Sequence, residues 1–497
     1  MGGKPFKSKG CISCRKRKVK CDQQKPHCAE CQKRKLVCQG YDRDDGLFIH
    51  HDQKSSNSHR GSQNLPGTTP GRSRSIQYTQ PQVQVQSGAL CRGSERLQIF
   101  SSYYDLYFPK NSKVSQVDFW QFLISGFAAL PKKSMMLEKA ICAVSSFYIG
   151  KMIGDTRLFN YGLQMYTEAM RILRRNIQLG FFGNEMIYTA VIFQEIEKIH
   201  RPRHLQAYFA HVEGTKMILD YCRPMIVKNS LTDAIYTNHS RMSMYLATTG
   251  ATSLYDEYKS VAISGHRTLL EKFIEIYDTS NRIVAAVDIA TQSSPDTKTY
   301  ESLLSQSMEL EKKWNEWFSK SGINDHCSYA DPEQIFTSSL PSTDALFGRA
   351  YRFESLDSAN FYIWHSAMMI RTLKLIHKVR TQLMPASVLE SASQADLHKK
   401  DDPLDTLRNE YHRKLEIYAD RACLCIPFCA QDDMRAFGVH AVLVPMCVVV
   451  ETYIDLCQRE KFFWCQRFYQ IGVDRCNNTA THMSEVGWNL FRKKGLA

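Results

Sequence analysis

Six cysteines near the amino terminus, Cys11, Cys14, Cys21, Cys28, Cys31 and Cys38, spell Cys-x2-Cys-x6-Cys twice with six residues between the halves. Two residues between thiols let one helical turn or tight loop aim both sulfurs at a single ion about 2.3 Å away, the requirement of tetrahedral zinc. One zinc would use four of the six thiolates. Two tetrahedral zincs need eight ligand positions, so six thiolates serve both only if two of them bridge. The internal symmetry nominates the first cysteine of each half, Cys11 and Cys28. A three-disulfide secreted framework is the competing reading. The opening Met-Gly-Gly-Lys-Pro-Phe-Lys carries no apolar signal segment, so a reducing compartment and persistent thiols are expected.

Between the second and third cysteines runs Arg15-Lys-Arg-Lys-Val-Lys20, and Pro26 lies in the loop joining the halves. With the six cysteines, these residues make the first forty positions resemble the fungal zinc binuclear cluster DNA-binding domain. The resemblance implies a short helix that begins within the first Cys-x2-Cys and points its carboxyl end into the major groove. A basic pair before the third cysteine, here Arg17 and Lys18, would then read a CGG triplet. Both side chains can donate to guanine O6 and N7 in that groove. Many relatives carry Lys at the first of these positions, where this chain has the longer, bidentate Arg17. Arg15, Lys20, Lys33, Arg34 and Lys35 are assigned to phosphates, which fix register without specifying sequence. Pro26 reads as a rigid turn setting the angle between the half-clusters.

Charge is concentrated where the cysteines are. Residues 1–40 hold 12 Lys or Arg against Asp22 and Glu30, which is +10 of the chain's +14. Two zincs on six thiolates remove two of those charges, leaving a small module near +8, the footprint of a polyanion binder. Pinned between ligands, the run contacts DNA, with nuclear import as a compatible second use.

The elements around the module follow from composition. Residues 42–94 are rich in Ser, Gln, Gly, Asp and His, with Pro66, Pro70 and Pro81 interrupting any helix. They read as a flexible linker without the heptad seam of a zipper. Residues 95–497 then carry helical apolar spacing: Leu137, Ile141, Val144 and Tyr148 form one stripe. Ala359, Ile363, Ile370, Leu373 and Ile376 form another, widened by Tyr362 and Met369. Pro109, Pro131, Pro202, Pro224, Pro385 and Pro427 stand where the period lapses. Strand alternation is absent, so the chain is expected to be mostly α: a cysteine-cluster module over 1–41, a linker, and a large helical regulatory domain. At 497 residues and 43% hydrophobic, the chain has material for a helical array or two lobes.

Three segments of that region resemble the fungal-specific transcription factor domain that accompanies this cluster. Ser94 to Tyr104 is similar to its opening helix, Tyr161 to Leu173 to its tetratricopeptide-like helix, and His204 to Leu219, with His211-Val-Glu-Gly214, to its His-x2-Gly helix.

No apolar run reaches the ~18 residues of a membrane span. Ala436 to Val450 comes nearest and, broken by His440 and Pro445, reads as a buried helix pair. Phosphate-loop, dinucleotide, His-Glu-x-x-His and Gly-x-Ser-x-Gly motifs are absent, so no enzymatic activity is expected. His200 and His204 straddle Pro202, with Glu195 and Glu197 the nearby carboxylates. They read as solvated or capping histidines. Cys423, Cys425 and Cys429, with His440 further on, lack zinc-loop spacing and read as core thiols. The expectation is a nuclear, sequence-specific regulator of RNA polymerase II transcription that binds double-stranded DNA with two zinc ions. Homodimerisation through the helical domain and contact with co-regulators complete it. A helical scaffold tethered to chromatin without base readout is the alternative.

Overall fold

The computed structural model describes residues 12–22, 28–34, 38, 93–109, 134–200, 206–222, 269–293, 296–329, 340, 346–383 and 403–496. The linker over 42–92, Pro26, Pro131, Pro202, His204, Pro224 and Pro385 lie outside these. The chain divides into two compact units, Met1–Pro81 and Gln82–Ala497.

Among its described residues the first unit has two short helices, α1 (Ile12–Lys16) and α2 (Ala29–Lys33). Its buried cluster is made of Cys14, Cys28, Cys31 and Cys38, with Val19 and Cys21 packed against it. Sulfur stands where a larger domain has leucine.

The second unit is helical. It runs α3 (Gly93–Tyr107), α4 (Met135–Ile153), α5 (Thr156–Gln178), α6 (Asn184–His200), α7 (Gln206–Cys222), α8 (Leu269–Ser293) and α9 (Thr297–Lys320). There follow α10 (Leu356–Leu383), α11 (Pro403–Cys429), α12 (Arg435–Asp455), α13 (Arg459–Asp474) and α14 (Asn478–Lys493). Helix α4 is apolar nearly all round, as a helix packed on several sides must be, and lies against α3, α5 and α6. It turns into α5 through Gly154, left-handed at φ 71°, and Asp155, whose carboxylate caps the amides of Arg157 and Leu158. Glycines set the close approach of this hairpin. A Cβ on Gly150 would lie 2.7 Å from the Phe159 nitrogen, and one on Gly162 would lie 3.0 Å from that of Phe147. Both stripes read from the sequence face the core, from Leu137 to Tyr148 on α4 and from Ala359 to Ile376 on α10.

Three sequence expectations need correcting. Ala436 to Val450 is not a helix pair: α12 is continuous with Pro445 inside it. Pro427 likewise lies within the last turn of α11. An interior proline removes one backbone bond, and burial of both flanks outweighs that loss: most of α12 is covered, packing on α10, α11, α13 and α14. The helix is long and apolar enough to cross a membrane, yet 67% of its apolar window is buried inside the protein. A small antiparallel ribbon also exists, β1 (Cys327–Tyr329) on β2 (Tyr351–Phe353), with Ser328 opposite Arg352. Three residues are too few for alternation to be legible. Pro109 does follow the end of α3.

Distant helices are joined by polar contacts. Lys151, in the last turn of α4, reaches Ile199 O at 3.0 Å, Cys476 O at 3.4 Å and Asn478 Oδ1 at 2.7 Å. A cation here meets a carbonyl in the last turn of α6, where the helix dipole favours positive charge, and one just past the end of α13. Lys151→Met keeps the stem and strands the carbonyls. We expect a loss of roughly 2–4 kcal/mol, read as a lower midpoint in urea with helical content retained before the transition.

Candidate metal centre and nucleic-acid interface

Helix α1 carries Cys14 and helix α2 carries Cys31. Cys28 is the N-cap of α2, extended at φ −72° and ψ 144°, and its sulfur accepts the Cys31 amide at 3.4 Å. The Cys14 sulfur lies 3.7 Å from that of Cys28 and 3.9 Å from that of Cys31. Ligands 2.3 Å from one tetrahedral ion stand about 3.8 Å apart. The sulfurs are therefore already at the spacing of zinc ligands.

Two groups of residues each hold their ligand atoms within 4.8 Å of one another: Cys14, Cys28 and Cys31, and Cys21, Asp22 and Cys28. Cys28 belongs to both, as a thiolate shared between two ions must. Cys14, Cys28 and Cys31 are fully buried and Cys38 nearly so. Cys11 lies outside the described residues.

The end of α1 exposes the basic run. The Val19 amide bonds back to Cys14 O at 3.0 Å and that of Arg17 to Ser13 O at 3.3 Å. Between them Lys18 is left-handed, at φ 53°. A six-to-one bond closing over a left-handed residue is the helix stop in which glycine is the usual occupant. Here a lysine accepts the strain, and its side chain is exposed. Lys16 and Lys20 are also exposed, while Arg17 is half-buried with Nη1 lacking a hydrogen-bond partner. Lys33 and Arg34 are exposed on α2, with Arg34 Nε 2.8 Å from Glu30 Oε1. The Arg15 backbone belongs to α1, but its side chain, and Lys35 altogether, lie outside the described residues. The structure thus brings Lys18 and Lys20 to one exposed turn beside the cysteine cluster, with Lys33 and Arg34 on the second helix.

One residue escaped the sequence reading. Both carboxylate oxygens of Asp22 stand 3.1 Å from the Ala29 amide nitrogen, at the first residue of α2. An acid followed seven residues later by a helix start gives no short-range capping signal, because a local cap reaches only two or three residues ahead.

The remaining candidates belong to the core. Cys423, Cys425 and Cys429 are fully buried, with the Cys423 sulfur 4.0 Å from that of Cys465. Burial pushes the thiols of Cys425 and Cys429 well up and that of Cys447 to about 12, which keeps them protonated. His440 Nδ1 lies 2.9 Å from the Tyr107 hydroxyl. Burial, then Lys198, Arg475 and Lys151, hold that imidazole neutral, well below its ordinary range. Glu195 pairs with Lys198 at 2.5 Å, and Glu197 accepts the Tyr166 hydroxyl at 2.6 Å. Glu195 also accepts the Tyr107 hydroxyl of α3 at 3.3 Å, so both carboxylates take hydroxyls from neighbouring helices.

No curated protein and no solved structure matches this chain. Residues 9–46 match the family model of the fungal Zn(2)-Cys(6) binuclear cluster domain. That match indicates a fungal DNA-binding transcription regulator, and the clustered sulfurs agree with a domain that binds two zinc ions.

Proposed function

We propose that the chain reads CGG-like half-sites in the major groove and regulates RNA polymerase II transcription in the nucleus. Cys11, Cys14, Cys21, Cys28, Cys31 and Cys38 hold the two zincs, with Cys11 and Cys28 bridging. Arg17 and Lys18 contact bases, and Arg15, Lys20, Lys33, Arg34 and Lys35 contact phosphates. The observation that supports this reading is the exposed left-handed turn at Lys18, fastened to the cysteine cluster by the Val19 bond to Cys14 O. It holds the donor beside a rigid metal core, and preorganised donors are what base readout needs.

A cluster reading three base pairs covers too little surface for the affinity of specific regulators, and two half-sites are the ordinary remedy. The linker over 42–94 has no heptad seam, so we place the dimer contact in the helical region over 95–497, which we read as the fungal-specific transcription factor domain and the docking region for co-regulators. Selection of sites from random duplexes by the full chain, with sedimentation of the same preparation, tests the proposal. Enrichment of paired CGG-like triplets by a dimer is expected. A pool with no enriched motif would identify the module as a non-specific chromatin tether.

A further inference from the structure

We propose that Asp22 is a positioning residue for the bridging sulfur of Cys28, a hydrogen-bond clasp that closes the loop between the two half-clusters. The inference rests on the binuclear reading above. Asp22 immediately follows Cys21, and Ala29 immediately follows Cys28. The contact between the Asp22 carboxylate and the Ala29 amide, 3.1 Å to each oxygen, therefore joins the neighbours of two ligand residues across seven positions. Their ligand atoms lie together within 4.8 Å.

The amides at the start of α2 are divided between two acceptors. Cys31 donates to the Cys28 sulfur at 3.4 Å, and Ala29 donates to Asp22. The first amides of a helix have no partner within it. Without Asp22, the Ala29 amide would turn to water or compete for the Cys28 sulfur, and the Cys28 backbone would lose its tether to Cys21. Partners of this kind, one shell out from a metal, typically govern its retention by 10–100-fold.

Asp22 is not needed as a ligand. Six thiolates with two bridging already fill eight positions, and both carboxylate oxygens face the Ala29 amide. Nor can its charge be the useful property. Six thiolates around two divalent ions are net negative, so a carboxylate beside them repels the cluster. What remains is geometry. The other half-cluster has Gln39 after Cys38, so a carboxylate follows the last cysteine in only one of the two halves.

The test uses the full chain loaded with zinc, and follows zinc transfer to the chromophoric chelator pyridylazoresorcinol. Amide exchange on peptides spanning residues 28–31 is measured alongside. Asp22→Ala should release zinc at least about tenfold faster and lose protection at Ala29. Asp22→Asn keeps an acceptor oxygen and drops the charge, so its release should stay within about twofold of the parent with protection retained. Asp22→Ala releasing zinc at the parent rate would overturn the clasp. Asp22→Asn releasing as fast as Asp22→Ala would overturn it too, because charge would then be the operative property. If Asp22→Ala is recovered without zinc, Asp22→Asn alone decides: retention supports the clasp and loss refutes it. A parent chain holding other than two zincs would instead sink the binuclear reading, which separates the two failures.

Discussion

Cys28→Ala should empty the amino-terminal module of both zincs and abolish DNA binding, whereas Cys14→Ala should leave part of the metal behind. Cys28 is the cysteine common to both groups of ligand-competent atoms, and it also begins α2. With the bridging proposed for it, its loss removes one ligand from each ion at once, and it takes the sulfur acceptor from the Cys31 amide. Among its described residues the buried cluster of the module is four cysteines, with Val19 and Cys21 against it, so little but the metal holds it. Structural zinc in such small folds contributes about 10–16 kcal/mol of binding free energy that is also folding free energy. We therefore expect native mass spectrometry to show two zincs in the parent, none in Cys28→Ala and at most one in Cys14→Ala. The helical unit should keep its thermal transition throughout. One zinc per parent chain, or full binding to DNA after chelation, would refute the arrangement.

What the sequence made legible follows a physical division. Ligand chemistry was local: thiol spacing within one turn, and positive charge pinned between ligands. Helix type was legible because burial repeats along one strip, as Leu137, Ile141, Val144 and Tyr148 show on α4. The errors fell where tertiary burial overrode a local rule. Pro445 breaks no helix because α12 is held from several sides, and the ribbon at 327–329 and 351–353 is shorter than any detectable alternation. Contacts across long sequence separations were out of reach altogether. Lys151 meets Asn478 only once α4, α6 and α14 are docked, and Asp22 meets Ala29 across a separation no local capping pattern spans.

The left-handed turn at Lys18 allows stability and base readout to be pulled apart. A residue with a Cβ in that conformation pays roughly 1–2 kcal/mol, part of which glycine returns through its greater freedom in the unfolded chain. Lys18→Gly should thus leave the zinc-loaded module as stable as the parent, or more stable by up to about 1 kcal/mol. Lys18→Ala keeps the strain and gains nothing. Both lose the side chain proposed to donate to guanine, so both should lose about 1–3 kcal/mol of discrimination, a factor of about fivefold to more than a hundredfold between the preferred duplex and one altered in a single base pair. Arg34→Ala is the contrasting case. It should weaken all duplexes alike and flatten the salt dependence by about one unit of slope. Its effect is limited because Glu30, 2.8 Å away, already competes for the guanidinium; Glu30→Ala should for the same reason tighten binding to every sequence. Competition binding at two salt concentrations, with melting at fixed zinc, reads all four variants. If Lys18→Gly and Arg34→Ala scale preferred and altered duplexes equally, Lys18 is a phosphate contact, and its strained turn serves to hold the module in register on the backbone.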